Sequence, residues 1–213
     1  EGFELPTAGL VQRLRHVAKR TGRTVCDVHI GISGGLDSSE SLLVTCAAYD
    51  YLGWPRDHVH AYMLTGYGTD DVTYQSAHRL CAGLGVPLTV IAIDDLADLV
   101  LQKLGHEPHR ETRCLTCQNV QARLRTVVLM TGGFMIGTGD LSELAKNYCT
   151  YGGDDRGMYG TNAGVAKTLL KFLVGWIAEK GMFGPEVSAV LRDIGATPIS
   201  AGRACTKHSA RPM

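Results

Sequence analysis

Strand-like and helix-like segments alternate along most of this sequence, and the alternation constrains the fold more than any other feature. Short apolar runs that are typical of buried strands cover residues 24–32, 58–65, 87–93 and 132–139. Segments with a helical spacing of apolar residues cover 37–51, 70–84, 96–104 and 119–130. Strands that alternate with helices in this way predict an α/β fold built on a doubly wound parallel sheet.

Helical patterns also flank this alternation at both ends. Near the start, Leu10, Val11, Leu14, Val17 and Ala18 fall on one helical face, and two C-terminal helices are predicted over 168–180 and 185–194. Since no repeat or linker interrupts the 213 residues, we expect a single domain over 1–213. Residues 201–213 have no apolar periodicity, so we expect them to form a mobile tail.

Composition argues against several classes of partner, although a local basic groove is still compatible with it. The 21 basic residues equal the 21 acidic ones, which gives no support for a nucleic-acid or membrane-surface partner. No run approaches the roughly 18 to 20 apolar residues of a membrane span, and the acids in the first residues are unlike a secretory signal. The seven scattered cysteines are expected to be reduced, which predicts a cytoplasmic location.

Polar motifs follow three of the predicted strands, over residues 33–39, 64–71 and 137–143. In open parallel sheets, ligands bind outside the carboxyl ends of the strands. The first motif, SGGLDSS, leads directly into a predicted helix, so several backbone N–H groups and the helix dipole point at one place. We therefore expect a phosphate-binding loop here.

The residue types of this loop fit that interpretation. Gly34 and Gly35 let an anion approach the backbone closely, and hydroxyl donors come from Ser33, Ser38 and Ser39. A carboxylate at Asp37 would repel phosphate unless it holds Mg²⁺, which bridges carboxylate and phosphate oxygens. Helix capping by Asp37 is the simpler alternative, but it leaves the glycines and serines unexplained.

Two other phosphate-binding motifs are absent from the sequence. It contains no GxxxxGK[ST], which excludes a Walker loop. Gly137 and Gly139 are followed by Ser142 where a dinucleotide fingerprint needs its third glycine.

The SGGLDSS loop resembles the pyrophosphate loop of the N-type ATP pyrophosphatases, which cleave ATP between its α and β phosphates. That group includes GMP synthetase, asparagine synthetase, tRNA-thiolating enzymes and NAD synthetase. Four later segments closely resemble NAD synthetase, in particular the synthetase domain of its glutamine-dependent forms. These segments are NVQARLRT (119–126), GTGDLSELA (137–145), YCTYGGDD (148–155) and NAGVAKTLLKFLVGW (162–176).

The resemblance runs in order over about residues 25–200, and it implies both a fold and a reaction. The implied fold is the Rossmann-like adenine nucleotide alpha hydrolase type. The implied reaction is the ATP-dependent amidation of deamido-NAD to NAD through an acyl-adenylate, with ammonia as nitrogen donor and release of AMP and pyrophosphate. Mg²⁺ is the implied cofactor, ATP the co-substrate, and a homodimer the implied assembly.

The resemblance also implies roles for individual residues. It makes Asp37 and Glu143 the Mg²⁺ ligands, and Asp37, Glu143 and Lys167 the catalytic set. The ATP-binding residues it implies are Gly31, Ser33, Gly34, Gly35, Asp37, Ser38, Ser39, Arg123, Thr138 and Lys167. The deamido-NAD-binding residues it implies are Asn119, Tyr148 and Asp154.

Some of these residues have simpler interpretations. Glu143 alone would be read as a surface glutamate in a first helical turn, Tyr148 could pack in the core, and Asp140 could be a helix cap. Lys171 is expected to be a solvated lysine.

The sequence departs from the NAD synthetase pattern in several places. Only one helix and one strand precede the SGGLDSS loop, so we expect no amidase domain and a supply of free ammonia or a separate glutaminase. Residues 146–148 read KNY, and no proline precedes Lys167. Both features differ from the family pattern close to the nicotinate site that the resemblance implies. Amidation of another carboxylate is therefore an alternative function.

A CxxC motif formed by Cys114 and Cys117 suggests a second alternative, a tRNA- or sulfur-modifying ATP pyrophosphatase. A metal site needs more ligands, and no second CxxC is present, so we expect two reduced cysteines at a helix start. His106 and His109 are expected to be merely exposed. A nucleotide-binding protein without catalysis is a third alternative.

Overall fold

A computed structural model describes residues 2–67, 71–108, 114–146 and 148–197 of the chain. The residues of the expected mobile tail and His109 lie outside the described residues. Five parallel strands form one sheet in the order β3-β2-β1-β4-β5. The strands are β1 (Val28–Gly31), β2 (Val59–Thr65), β3 (Leu88–Ala92), β4 (Phe134–Gly137) and β5 (Tyr159–Gly160).

Helices lie on both faces of this sheet. They are α1 (Glu4–Thr21), α2 (Leu36–Leu52), α3 (Asp71–Leu84), α4 (Asp94–Lys103), α5 (Leu115–Gly132), α6 (Leu141–Ala145), α7 (Lys167–Lys180) and α8 (Pro185–Ala196). The predicted doubly wound parallel sheet and its C-terminal helices are thereby confirmed. Sequence patterns missed two short elements, a 3-10 helix (Arg56–His58) and β5, because elements of two or three residues are too short to show a period. The short helix α6 was anticipated only through the possible cap at Asp140 and the first-turn position of Glu143.

Side chains alternate between the two faces of each central strand and so build a core on either side. Val28 and Ile30 of β1 contribute to a large cluster with residues of α1, α2, α3, α7 and α8. On the opposite face, Leu129 of α5 packs in a smaller cluster with Met135 of β4. No helix among the described residues has the length and apolarity that crossing a bilayer requires.

The strand order reverses between β1 and β4, and this reversal determines where a ligand can bind. From β1 the chain winds outward through β2 to β3, and it then returns to place β4 on the other side of β1. The loops that leave the carboxyl ends of β1 and β4 consequently diverge and open a crevice between them. Both the SGGLDSS loop and the GTGDLSELA segment leave the sheet at this crevice.

Candidate active site

The SGGLDSS loop turns sharply between β1 and α2, and Gly34 makes the turn. Its φ of +77° lies in the left-handed region, where a side chain adds strain. A Cβ at this position would also lie 2.0 Å from the backbone oxygen of Thr73 in α3. Position 34 therefore requires glycine for its backbone conformation and for the close approach of α3.

Serine hydroxyls hold this loop in place. The backbone N–H of Ser33 donates to Ser38 Oγ at 3.2 Å, and the two hydroxyl oxygens are 3.1 Å apart. The N–H of Gly35 donates to Ser33 Oγ at 3.3 Å. Ser39 is fully buried and donates its hydroxyl to the Gly35 carbonyl at 2.7 Å, so it supports the loop from within.

Beside the loop, three carboxylates surround the ammonium of one lysine. Lys167 Nζ donates to Asp37 Oδ2 and to Glu143 Oε1, the latter at 3.2 Å. It also forms an ion pair with Asp140 Oδ2 at 3.1 Å. The cluster brings together the three residues predicted to be catalytic and adds Asp140 as a fourth member.

The local folding of α6 and α7 explains why these groups meet. Asp140 caps α6 by accepting the N–H of Glu143 at 2.8 Å, as its alternative interpretation predicted, and this fixes Glu143 in the first turn. Ser142 Oγ accepts the N–H of Lys167 at 3.1 Å, which joins the start of α7 to α6. Asp37 reaches the same place from the first turn of α2.

Asn162 connects the two loops that carry the cluster. Its side chain is fully buried, and its Nδ2 donates to the carbonyls of Asp37 at 3.0 Å and Thr138 at 3.2 Å. One amide therefore holds the start of α2 and the end of β4 at a fixed separation.

Burial and the proximity of these charged groups shift their pKa values. Burial raises the pKa of Asp37 to about 6, the neighbouring carboxylates add to the rise, and the hydrogen bond from Lys167 opposes it. Burial disfavours the ammonium of Lys167, but its hydrogen bond to Asp37 and the surrounding negative charges raise its pKa above the ordinary value. Burial likewise opposes ionisation of Asp140, yet the N–H of Glu143 and the ammonium of Lys167 lower its pKa.

The donor set of this cluster fits a divalent cation. Asp37, Asp140 and Glu143 each offer a carboxylate oxygen, and these atoms lie within 4.8 Å of one another. Three carboxylates against one ammonium give these four side chains a formal charge of −2. Among the described residues, Asp37 Oδ1 is buried and accepts no hydrogen bond. Hard oxygen donors with excess negative charge are what Mg²⁺ prefers.

The cluster and the loop share one cavity of about 640 Å³. Most of the predicted site residues line it, namely Gly31, Ser33, Gly34, Gly35, Asp37, Ser38, Thr138, Glu143, Asp154 and Lys167. Further cations at its wall come from Arg125, Arg156 and Lys171. Lys171 is solvent-exposed as expected, but it also reaches this cavity.

Four predicted site residues lie elsewhere. Ser39 is in the helix interior, and Arg123 is on the exposed face of α5, where its guanidinium donates to the Asn119 carbonyl at 3.5 Å. Asn119 Oδ1 accepts the hydroxyl of Thr150 at 3.0 Å, which ties α5 to the 148–155 segment. Tyr148 is 57% exposed rather than packed in the core, so its ring is available to a ligand.

Sequence reasoning missed Arg125, Ser142 and Asn162, and it treated Asp140 only as a cap. Arg125 faces the cavity, and its Nε donates to the Leu64 carbonyl at 3.2 Å, whereas Arg123, two residues earlier, faces solvent. Helical spacing could have separated the two arginines, because residues two positions apart lie on different helix faces. Asn162 had no such signal, because its role depends on contacts distant in sequence.

Comparisons with known proteins all indicate the same protein family. The sequence model of the NAD synthase family matches residues 8–187. The glutamine-dependent NAD(+) synthetase of Mycobacterium leprae (strain TN) is 41% identical over 208 residues, which cover 94% of this chain and 30% of that protein. Its counterpart in Mycobacterium tuberculosis (strain ATCC 25618 / H37Rv) is 41% identical over 209 residues, with the same two shares. The chain thus spans less than a third of the length of these curated relatives.

Solved structures agree with the sequence comparison. The glutamine-dependent NAD+ synthetase of Acinetobacter baumannii, solved in complex with adenosine diphosphate, matches with a TM-score of 0.72 and 27% identity, over 90% of this chain and 36% of that one. The NH3-dependent NAD synthetase of Campylobacter jejuni subsp. jejuni NCTC 11168 matches with a TM-score of 0.65 and 20% identity, over 93% and 98% of the two chains. These neighbours confirm the adenine nucleotide alpha hydrolase type of fold.

Proposed function

The chain belongs to the NAD synthase family, and from this membership we propose that it amidates deamido-NAD to NAD, with ATP as co-substrate and ammonia as nitrogen donor. One observation carries the proposal. Asp37, Asp140, Glu143 and Lys167 converge beside a glycine- and serine-rich loop, in a single cavity at the switch point of the sheet. Such a site can bind a triphosphate and stabilise charge that develops on its α-phosphate.

The first chemical step joins the two substrates. A nicotinate carboxylate oxygen of deamido-NAD attacks the α-phosphorus of ATP, the bond to the β-phosphate oxygen breaks, and pyrophosphate leaves. The substrate itself is the nucleophile, so the chain needs no activated serine or cysteine. The N–H groups and hydroxyls of residues 33–38 bind the departing phosphates, and the charge of Lys167 offsets the negative charge that they gain.

Mg²⁺ fits the three carboxylates, with Asp37 and Glu143 as the proposed ligands and Asp140 completing the set. When bound, it supplies further neutralisation of phosphate charge. The cavity cations Arg125, Arg156 and Lys171 add to the positive potential around the nucleotide.

The second step forms the amide. Ammonia attacks the acyl carbon of the adenylate, the carbon–oxygen bond to AMP breaks, and a proton is released. Asp154 at the cavity wall and the exposed ring of Tyr148 are the proposed contacts for the nicotinate end, with Asn119 holding the segment between them through Thr150. Because the curated relatives are named glutamine-dependent, we propose that a glutaminase outside this domain supplies the ammonia.

The test supplies ATP, Mg²⁺, deamido-NAD and either ammonium or glutamine, and it measures NAD, AMP and pyrophosphate. We expect all three products in equal amounts with ammonium, and a much lower rate with glutamine unless a glutaminase is added. Asp37→Asn should abolish turnover, whereas Asp95→Asn, at an exposed position of α4, should not. ADP and orthophosphate as products would contradict the proposal. AMP formation only with another carboxylate, or only with tRNA, would instead support one of the alternative functions.

We also propose that the protein forms a homodimer and is located in the cytoplasm. A homodimer follows from the family resemblance alone, and sedimentation of the protein at micromolar concentration would test it. The cytoplasmic location rests on the reduced cysteines expected from the sequence.

A further inference from the structure

A second cluster of metal-binding side chains lies at the amino end of α5, formed by residues different from the carboxylate cluster. His106, Cys114 and Cys117 each offer a ligand atom, and these atoms lie within 4.8 Å of one another. The ring Nε2 of His106 is 3.1 Å from Cys114 Sγ. Cys117 is 2% exposed, while His106 and Cys114 are half-buried.

Local backbone structure brings these three groups together. After α4 the chain reverses through Gly105, whose φ is +67°, and the N–H of His106 donates to the Leu101 carbonyl at 2.9 Å. Cys114 is the N-cap residue of α5, and Cys117 follows in the first turn of that helix. A CxxC motif at a helix start places both sulfur atoms near the amino end, where the exposed N–H groups favour negative charge.

The chemistry of the donor atoms indicates which type of metal ion this cluster would bind. Two sulfur atoms and one imidazole are soft or borderline donors, in contrast to the hard oxygens of the carboxylate cluster. Bond lengths of about 2.0 to 2.3 Å around a tetrahedral zinc place neighbouring ligand atoms roughly 3.5 to 3.8 Å apart. The His106 Nε2–Cys114 Sγ distance of 3.1 Å is somewhat shorter than this spacing, and all three ligand atoms lie within 4.8 Å of one another.

We propose that His106, Cys114 and Cys117 form a site for a thiophilic divalent cation of the Zn²⁺ class, with three protein ligands and a fourth position open to water. The binding reaction releases the thiol protons as the sulfur–metal bonds form, with no change in oxidation state.

The proposed metal would brace the helix that lines the nucleotide cavity. It would link His106, in the turn after α4, to the first turn of α5. The Cys117 carbonyl accepts Gln121 Nε2 at 3.2 Å, and Gln121 Oε1 accepts the N–H of Tyr67 at 3.0 Å. Gln121 is buried, and Tyr67 lines the cavity. The metal site is therefore two hydrogen bonds from the ATP pocket, so the metal would position the start of α5 without contacting the reacting atoms.

The test measures metal binding on the reduced protein without nucleotide, so its failure would leave the proposed amidation untouched. Metal-free chain is titrated with Zn²⁺ against a chromophoric chelator, and then with Co²⁺ under anaerobic conditions. We expect one tight site per chain, with a sulfur-to-cobalt charge-transfer band and the visible absorption of tetrahedral Co²⁺.

Matched variants locate the site. Cys114→Ser, Cys117→Ser and His106→Gln should each weaken binding at least 100-fold, and the two serine variants should reduce the charge-transfer band. Cys149→Ser, at another half-buried free cysteine, and Asp37→Asn, in the carboxylate cluster, should bind Zn²⁺ like the parent. Circular dichroism of each variant separates lost ligands from lost folding, and His106→Gln provides a half-exposed substitution if a cysteine variant fails to fold.

Three results would overturn the proposal. The first is the absence of a stoichiometric site in the folded parent. The second is undiminished binding in the folded His106→Gln and cysteine variants. The third is a Cys114–Cys117 disulfide that re-forms after reduction even when Zn²⁺ is present, since this would make the pair a redox couple instead of a metal site.

Discussion

The ammonium of Lys167 donates a hydrogen bond to the carboxylate of Asp37, although the two residues are 130 positions apart in the sequence. Asp37 lies in the first turn of the helix after the first strand of the sheet, and Lys167 begins a helix that follows the last strand. Their contact spans one end of the crevice at the switch point and links the first turn of α2 to the start of α7.

Removal of the lysine charge should disable the site. In Lys167→Met, three carboxylates would remain without the ammonium that pairs with them, and the leaving phosphates would lose one cation. We expect the rate of NAD formation to fall on the order of 100-fold or more. Lys171→Met is the matched control, since it removes an exposed lysine from the same cavity wall. A Lys171→Met enzyme as impaired as Lys167→Met would contradict the assigned role of Lys167.

The phosphate-binding loop should not tolerate a side chain at position 34. Gly34→Ala adds a Cβ at a φ of +77° and within 2.0 Å of the Thr73 backbone oxygen. We expect the free energy of unfolding to fall by more than about 2 kcal/mol and ATP binding to weaken strongly. Gly175→Ala in α7 is the control, because open space surrounds that position and helix propensity favours alanine by up to about 1 kcal/mol. Chemical denaturation and ATP titration of both variants measure the effects.

Asn162 should matter for both stability and nucleotide affinity. Asn162→Ala removes the donor to two carbonyls, which we expect to lower the free energy of unfolding by about 2 to 3 kcal/mol and to weaken ATP binding. Ser188→Ala is the control, since it removes a buried hydroxyl that donates to the Gly184 carbonyl in α8. It should lose about 1 kcal/mol of stability without a change in ATP affinity. Equal ATP affinity in parent and Asn162→Ala would show that this amide does not shape the site.

Glu40 should make the protein less stable as the pH rises. Its side chain is fully buried, and among the described residues neither carboxylate oxygen has a hydrogen-bond partner. Burial, with a further contribution from Asp37, raises the pKa of Glu40 from 4.5 to about 8. The unfolded chain therefore loses this proton at a lower pH than the folded chain does. Ionisation of Glu40 therefore leaves the free energy of unfolding unchanged below about pH 4.5 and lowers it progressively as the pH rises to about 8.

Glu40→Gln tests this linkage, since the neutral amide mimics the protonated acid. We expect the variant and the parent to have the same free energy of unfolding near pH 4.5, and the variant to have the higher value at pH 8.5. The difference should be at most about 1.4 kcal/mol for each pH unit between the pKa of Glu40 in the unfolded chain and that in the folded chain. Glu179→Gln, an exposed position on α7, is the control and should follow the parent at both pH values. A constant difference between Glu40→Gln and the parent across this range would contradict the raised pKa.

Much of the fold could be predicted from local sequence patterns, because the helices and central strands carry regular apolar spacing. Strands β1 to β4 and helices α2 to α5, α7 and α8 were predicted within about four residues of their observed bounds. Strand β5 could not be, since Tyr159 and Gly160 acquire strand structure only by pairing with Ile136 and Gly137. A two-residue element has no period of its own.

The site was predictable where residue types carried the signal and not where long-range packing decided it. Asp37 was singled out by the residue types of its loop, and Glu143 and Lys167 by the family resemblance, and the structure brings the three side chains together. The choice between Arg123 and Arg125 depends on which face of α5 meets the cavity, which motif resemblance does not specify. His106 was expected to be merely exposed, yet the turn after α4 places it against Cys114.

Transfer of an oxygen isotope tests the central claim most directly. Deamido-NAD labelled with 18O in the nicotinate carboxylate is converted with ATP, Mg²⁺ and ammonium, and the AMP is analysed by mass spectrometry. Attack of the carboxylate on the α-phosphorus at the Asp37–Lys167 site predicts one labelled oxygen in AMP for each NAD formed. Unlabelled AMP, or label found in orthophosphate, would contradict the account.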